Sequence, residues 1–375
     1  MKKKVLIWDV PTRVFHWAMV LMFIIAVISH DDNRYLDVHV FAGYCLFGLI
    51  VFRLLWGVVG THYARFATFA YTPKEVMRYL KSLFTHSLRH YIGHNPAGAW
   101  AIFLLIFISL SLSVTGLLVL GGEERHGPLA GMLSFRQSVP FRVAHEALAY
   151  GMLALVFVHV SGVILESILH KENLIGAMFR GTKWVAGRSA KVPAHYLLGM
   201  SMLMVLVAYG LVNFSGYITE TADKPYIPYQ GAELPQNKIW NEACGECHLA
   251  FHPSLLPVRS WQITLDEQEN HFEEDLMLEE GVISELRVFV ENNSSEKEQS
   301  EAAWRINTTV RIDETPKRIT TLKYWRKKHE DINLSVWQQE NVNSKMNCSA
   351  CHLDAEFGTF EDSAMRIPKT VQIKE

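Results

Sequence analysis

Apolar residues gather into five long runs within the first 217 positions, at roughly 14–30, 37–59, 98–120, 143–168 and 195–217. Each is long enough, or nearly so, to cross about 30 Å of hydrocarbon as a helix. The first is the shortest, and Trp8 and Trp17 are placed to mark its interfacial entry. Its Lys2-Lys3-Lys4 start is that of a signal peptide, but the run ends in Ser29-His30-Asp31-Asp32 with no small-residue cleavage site, so an uncleaved anchor is expected. After residue 217 the pattern changes. A proline-bearing stretch (Pro225, Pro228, Pro235) leads into acidic runs and short amphipathic segments. Segments 282–290 and 306–312 are candidate short strands, and Glu291–Glu301 reads as a solvated polar loop. The expected fold is an all-α membrane domain, a five-helix transmembrane bundle over 1–217, then a linker over 218–239. A small, mostly α, loop-rich domain over 240–375 completes it.

Charge sharpens this division. The chain carries 36 Lys and Arg against 38 Asp and Glu, a net of −2. Residues 1–217 hold 19 basic and 10 acidic groups, a net of +9, and residues 218–375 hold 17 and 28, a net of −11. A basic apolar half joined to an acidic polar half points to a membrane anchor with a soluble head. Basic residues cluster at the N-terminus, in the loop 60–97 (Arg65, Lys74, Arg78, Lys81, Arg89) and in the loop 169–194 (Lys171, Arg180, Lys183, Arg188, Lys191). Segment 31–36 sets Arg34 beside two aspartates, and 121–142 sets three arginines against two glutamates. The positive-inside rule therefore places the N-terminus in the cytoplasm and, after five crossings, the C-terminal part outside. The expected location is the bacterial inner membrane with a periplasmic head.

The head carries Cys244-Gly-Glu-Cys247-His248 and Cys348-Ser-Ala-Cys351-His352. This C-x-x-C-H spacing attaches a c-type haem, with two thioethers fixing the porphyrin and the adjacent imidazole ligating iron. A zinc site and a redox dithiol are the competing chemistries. Two such motifs on the oxidising side favour haem. Each iron then needs a sixth ligand or an open face. His252, His271 and His329 are the spare histidines, and Met277 and Met346 are rivals. His252 follows His248 by only four residues, on the proximal side of its own haem, which leaves it as a surface residue or a ligand to the other haem. His271 and His329 are far enough away to fold back.

Histidine inside a bilayer is costly and asks for a partner. His16, His39, His145 and His159 lie in the apolar runs. His145 and His159 are 14 residues apart, which on a helix means a shared face within about 40° and an axial separation of roughly 21 Å. The alternating direction of the helices puts His39 and His145 near the outer surface and His16 and His159 near the inner one. Two bis-imidazole, low-spin b-type haems are expected at those levels. Gly43, one turn after His39, either lets a porphyrin approach or packs helices. Cys45 reads as a small buried apolar residue.

His62, His86, His90 and His94 crowd the inner loop without a nearby Cys, Asp or Glu, and Pro73–His90 reads as an interfacial amphipathic segment. His195, or His126 with Glu123, is a candidate proton acceptor for a quinol. Arg13, Arg53 and Arg142 flank the membrane and are candidate partners for haem propionates, with snorkelling as the ordinary alternative. No nucleotide loop, dinucleotide fingerprint, Ser-His-Asp pattern or zincin motif occurs, and nothing supports nucleic-acid binding.

The stretches "WDVPTRVFHW", "HVFAGYCLFGLIVFRLLWG" and "HEALAYGMLALVFVHVSGVILESILHKENLIGAMFRGTK" resemble the bacterial cytochrome b561 and hydrogenase cytochrome b family. The resemblance covers about 5–217 and implies His16, His39, His145 and His159 as the haem ligands. From about Trp240 onward, "CGECHLAFHPSLLPVRSW", "HFEED", "KYWRKKHEDI" and "CSACHLDAEFGTFED" resemble the small dihaem cytochrome c family. That family's bis-histidine haems imply His271 and His329 as distal ligands, without saying which serves which haem, and place His252 at a non-ligand position. Saturated irons carry electrons and do not bind substrates. The expectation is a tetrahaem respiratory relay, quinol-oxidising, with two haem b and two haem c. It carries electrons from the quinone pool to a soluble periplasmic cytochrome or reductase. The resemblance implies that this acceptor is a small high-spin cytochrome c that binds oxygen. Two alternatives stand: a terminal reductase with one open c-haem, and a cytochrome b subunit passing electrons from a partner dehydrogenase or hydrogenase to quinone.

Overall fold

The computed structural model describes residues 2–30, 35–84, 90–221, 224–227 and 233–368. His86, Arg89, Arg34 and Pro228 lie outside the described residues. The chain forms two compact units, one of residues 1–116 and 143–226 and one of 117–142 and 227–375. Residues 117–142, contiguous in sequence with the apolar half, thus pack with the C-terminal region. There Arg125 Nη1 donates to the Gln299 carbonyl at 2.9 Å, and the Phe135 and Trp304 rings lie 5.2 Å apart.

Among the described residues, five helices are long and apolar enough to cross a membrane: α1 (Val10–Ile28), α2 (Leu36–Val59), α4 (Pro96–Gly122), α5 (Phe135–His170) and α7 (Tyr196–Asn213). The chain is a membrane protein. α1 begins before its apolar run because Asp9 caps it, accepting from Thr12 N at 2.8 Å, with Pro11 in the first turn. Asp9 is fully buried and also accepts from Trp56 Nε1 at 3.1 Å and Thr61 Oγ1 at 2.6 Å, which ties the start of α1 to the end of α2. α5 starts eight residues before its apolar run, with Pro140 interrupting its backbone ladder. Val59, Phe157, Leu197 and Val212 face outward, as lipid contact requires.

Short elements complete the first unit. β1 (Lys2–Leu6) pairs antiparallel with β2 (Thr182–Ala186), Lys2 opposite Ala186 and Leu6 opposite Thr182. The amphipathic α3 (Pro73–Phe84), α6 (Leu174–Arg180) and α8 (Ser215–Thr219) are the other helices.

The second unit is helical: α9 (Lys238–Cys244), α10 (Val258–Asp266), α11 (Glu280–Asn293), α12 (Glu301–Thr309), α13 (Lys323–His329) and α14 (Leu334–Trp337). Its core gathers Trp240, Leu256, Trp261, Leu286, Val290 and Ile306. Both candidate strands are corrected: 282–290 lies inside α11, and 306–312 begins inside α12. Their apolar positions serve a helix face, with Ile283, Leu286, Phe289 and Val290 buried. The solvated-loop expectation for Glu291–Glu301 is also corrected. Asn293, Ser294, Ser295 and Ser300 are buried because the chain itself satisfies their polar groups. Asn293 Nδ2 donates to Phe289 O, Ser295 N donates to Leu256 O, and Ser300 Oγ caps α12 by accepting from Ala303 N.

Glu361 is buried and shares a hydrogen bond with Glu124. Burial, reinforced by neighbouring carboxylates, raises both, Glu361 to about 10, so the pair retains a proton at neutral pH. A raised folded-state value means stability that is complete below the ordinary carboxyl value of 4.5 and is lost as pH rises through about 10. The unfolding midpoint of the full chain, followed at the c-haem absorbance, should fall with alkalinisation over that window. Glu361→Gln should flatten the fall, and an unchanged slope would count against the shared proton.

Candidate haem centres

A metal held between two imidazoles by bonds of about 2 Å puts the ring centroids roughly 6 Å apart. Among the described residues, three histidine pairs show that spacing. In the membrane unit, the His39 and His145 rings are 6.2 Å apart. In the second unit, His248 and His271 are 6.5 Å apart and His329 and His352 are 6.2 Å apart. His16 and His159 lie close enough to act on each other electrostatically. The sequence left open which distal histidine faces which motif. The structure puts His271 opposite His248 and His329 opposite His352.

Local structure aims the rings. An imidazole that donates Nδ1–H to a carbonyl keeps its Nε2 lone pair free for metal. His39 Nδ1 lies 2.9 Å from Ala26 O, and His145 Nδ1 lies 3.1 Å from Leu112 O and 3.0 Å from Thr115 Oγ1. His329 Nδ1 lies 2.7 Å from Trp325 O one turn back on α13, and His248 Nδ1 lies 2.7 Å from Leu249 O. Gly116 lets His145 approach α4, since a Cβ there would meet His145 Cε1 at 3.1 Å. A Cβ on Gly43 would meet nothing within 4 Å, so this glycine packs no helix and leaves the space beside His39 open. Buried orphan atoms mark the same places, among them His16 Nδ1 and His352 Nδ1. The donor set and the open space fit haem.

Burial lowers the affinity of His271, His329 and His352 for a proton, which keeps them neutral and able to bind metal. Aromatic rings flank them: Trp325 stacks on His329 at 4.1 Å, Phe251 on His248 at 5.0 Å, and Phe360 meets His352 edge-on at 5.3 Å. Cys244 closes α9, and Cys348 opens the turn in which His352 N donates to Cys348 O at 2.8 Å. Cys247 and Cys351 complete the motifs, and all four cysteines are unpaired. Cys45 is buried with Met22, Phe41 and Leu49, as expected of a small apolar side chain.

Other candidates resolve differently. His252 is neither on the surface nor facing a haem motif. It is buried, its Nε2 lies 3.1 Å from Pro235 O, and its Nδ1 accepts from Ser254 N at 3.2 Å. Burial lowers it to about 4. Met277 is 82% exposed and Met346 is half-exposed, so neither is sequestered as an axial ligand would be. His90 does acquire an acidic partner, Glu172 at 2.8 Å, through folding rather than sequence proximity. His195 sits at the start of α7 beside Trp56, with ring centroids 5.4 Å apart. Glu123 accepts from Ser138 Oγ at 3.4 Å and from Arg142 Nη1 at 3.5 Å. Sequence reasoning missed Leu112 and Thr115-Gly116 around His145. Their signal was the small and polar run Ser111–Gly116 within an otherwise apolar helix.

His271→Ala should turn one c-type centre high-spin and able to bind carbon monoxide when reduced, and His329→Ala should do so at the other. His252→Gln should leave both low-spin while lowering the unfolding midpoint by on the order of 1–3 kcal/mol of stability, the cost of disturbing a buried hydrogen-bonded group. Carbon monoxide difference spectra of the three variants check the assignment; binding in the His252 variant alone would reverse it.

Two separate parts of the chain match known families. Residues 7–181 match the family model for prokaryotic cytochrome b561, and residues 240–360 match that for dihaem cytochrome c. A probable Ni/Fe-hydrogenase B-type cytochrome subunit of Azotobacter vinelandii is 26% identical over 212 residues, covering 47% of this chain and 87% of that protein. The corresponding protein of Cupriavidus necator is 23% identical over 216 residues, covering 48% and 86%. Among solved structures, a dihaem cytochrome c from Rhodobacter sphaeroides is 31% identical, covering 34% of this chain and all of that one, with a TM-score of 0.31. One from Shewanella baltica is 26% identical, covering 36% and 95%, with a TM-score of 0.29. The chain is a membrane-bound electron-transfer protein in which a cytochrome b561 region, with haem of the b type, is joined to a dihaem cytochrome c region.

Proposed function

We propose that the protein takes electrons from membrane quinol, passes them through two b-haems and two c-haems, and delivers them to a soluble periplasmic acceptor. The observation that carries this is the set of paired imidazoles with ring centroids 6.2–6.5 Å apart in both units. When bound, the haems supply one-electron chemistry. His16 and His159 serve the inner membrane level, and His39 and His145 the outer one. His248 with His271, and His352 with His329, serve the c-type centres, each anchored by its two cysteines. Two imidazoles per iron leave no open axial position, which favours a carrier over a reductase of small molecules.

Loop charge supports a cytoplasmic N-terminus and a periplasmic C-terminal region in the bacterial inner membrane. The net −11 of residues 218–375 favours an acceptor with a basic patch. The dihaem resemblance implies a small oxygen-binding high-spin cytochrome c as that acceptor. The hydrogenase B-type cytochrome relatives favour a second route, in which a partner hydrogenase supplies the b-haems and quinone takes the electrons.

A pyridine haemochrome assay should return b and c haem in equal amounts, two of each per chain. Under anaerobic conditions a quinol analogue should reduce all four haems. Reduction of the b-haems alone would favour the hydrogenase route, and a b:c ratio far from one would reject the layout.

A further inference from the structure

Three arginines flank the membrane helices, and their surroundings separate them. Arg13 Nη1 donates to the Phe179 carbonyl at 2.8 Å, and Arg142 faces Glu123 at 3.5 Å. Arg53 is only 5% exposed, forms no ion pair among the described residues, and its Nη1 is buried without a hydrogen-bond partner. Its guanidinium lies over the Phe66 ring, 4.5 Å from the centroid, and 6.0 Å from that of Phe69. The acidic group whose field reaches it, Asp9, has its Oδ1 taken by Thr12 N and its Oδ2 by Trp56 Nε1 and Thr61 Oγ1. A buried guanidinium with no carboxylate in contact is costly unless an anion joins it.

Position says which anion. Arg53 follows His39 on α2 by 14 residues, the interval that separates His145 from His159 on α5. It therefore shares the face of His39 within about 40° and lies roughly 21 Å along the axis, at the inner level. His94 sits there too, its ring 4.7 Å from Trp8 and 4.5 Å from Phe69, with Nδ1 buried and unpartnered. Arg53, Lys183 and His159 all act on it electrostatically. Lys183 has its own partner in Glu172, at 4.0 Å. Arg53 Nη1, a donor, and His94 Nδ1, a donor in the tautomer protonated there, thus remain without partners on either side of a shared neighbour, Phe69.

We propose that Arg53 and His94 form a carboxylate site at the inner level, and that its ligand is a propionate of the haem held by His16 and His159. The assignment of the ligand rests on the proposed haem layout; the unsatisfied donor pair does not. A guanidinium binds a carboxylate through two parallel N–H donors, and the desolvated setting strengthens the pair.

Potentiometric titration of the full-length protein, monitored at the b-type bands, tests this. Removing a positive charge beside one haem disfavours the added electron there, so Arg53→Gln should lower one b-haem potential and leave the other in place. Selective loss of one b-haem would support the site equally. Arg53→Lys should give a smaller shift at the same haem, and it decides the matter should the glutamine variant lose both. Reconstitution with haem dimethyl ester identifies the source of the carboxylate: the weaker retention of one b-haem that Arg53→Gln causes with protohaem should vanish with the ester, wild type and variant then holding it equally. A difference that persists would assign the site to another carboxylate and overturn the proposal. So would two potentials that stay put, or that move together, in both variants. Failure of the layout itself reads differently, as b-type absorbance that survives His159→Ala in full.

Discussion

The structure depends on one constraint: a neutral imidazole must stand opposite another with its Nε2 free, in surroundings where it cannot be solvated. Burial disfavours protonation of His271, His329 and His352 in the second unit, and backbone carbonyls orient the His248 and His329 rings. In the membrane unit, Ala26 and Leu112 supply those carbonyls to His39 and His145. The helices hold rings at a chosen separation, and their hydrogen-bond partners set the angle.

Two polar groups inside the apolar unit show the same use of hydrogen bonds to fix packing. Asp9 fills its oxygens with three donors and so joins α1 to α2. Thr115 returns its hydroxyl to the Ser111 and Leu112 carbonyls and also lies against His145. Arg53 Nη1 and His94 Nδ1 find no such partner, the Asp9 oxygens within reach of the guanidinium's field being already taken.

How much was legible in the sequence follows from how local each feature is. The C-x-x-C-H motifs are covalent chemistry within five residues, and the interval from His145 to His159 is helical periodicity, so both could be read directly. The partners of His248 and His352 could not. Each partner lies 23 residues away, after the motif in one case and before it in the other, and only tertiary closure brings them together. His252 misled because an imidazole can fill both nitrogens with backbone groups and serve as a buried cap. The segment Glu291–Glu301 misled because its serines and asparagine bond inward despite a polar composition. The pairing of β1 with β2 joins residues some 180 positions apart and leaves no local trace.

Electron paramagnetic resonance of the oxidised full-length protein tests the paired imidazoles most directly. Bis-imidazole coordination at every level predicts four low-spin ferric haems per chain and no high-spin component. A high-spin signal equivalent to one whole haem would contradict it.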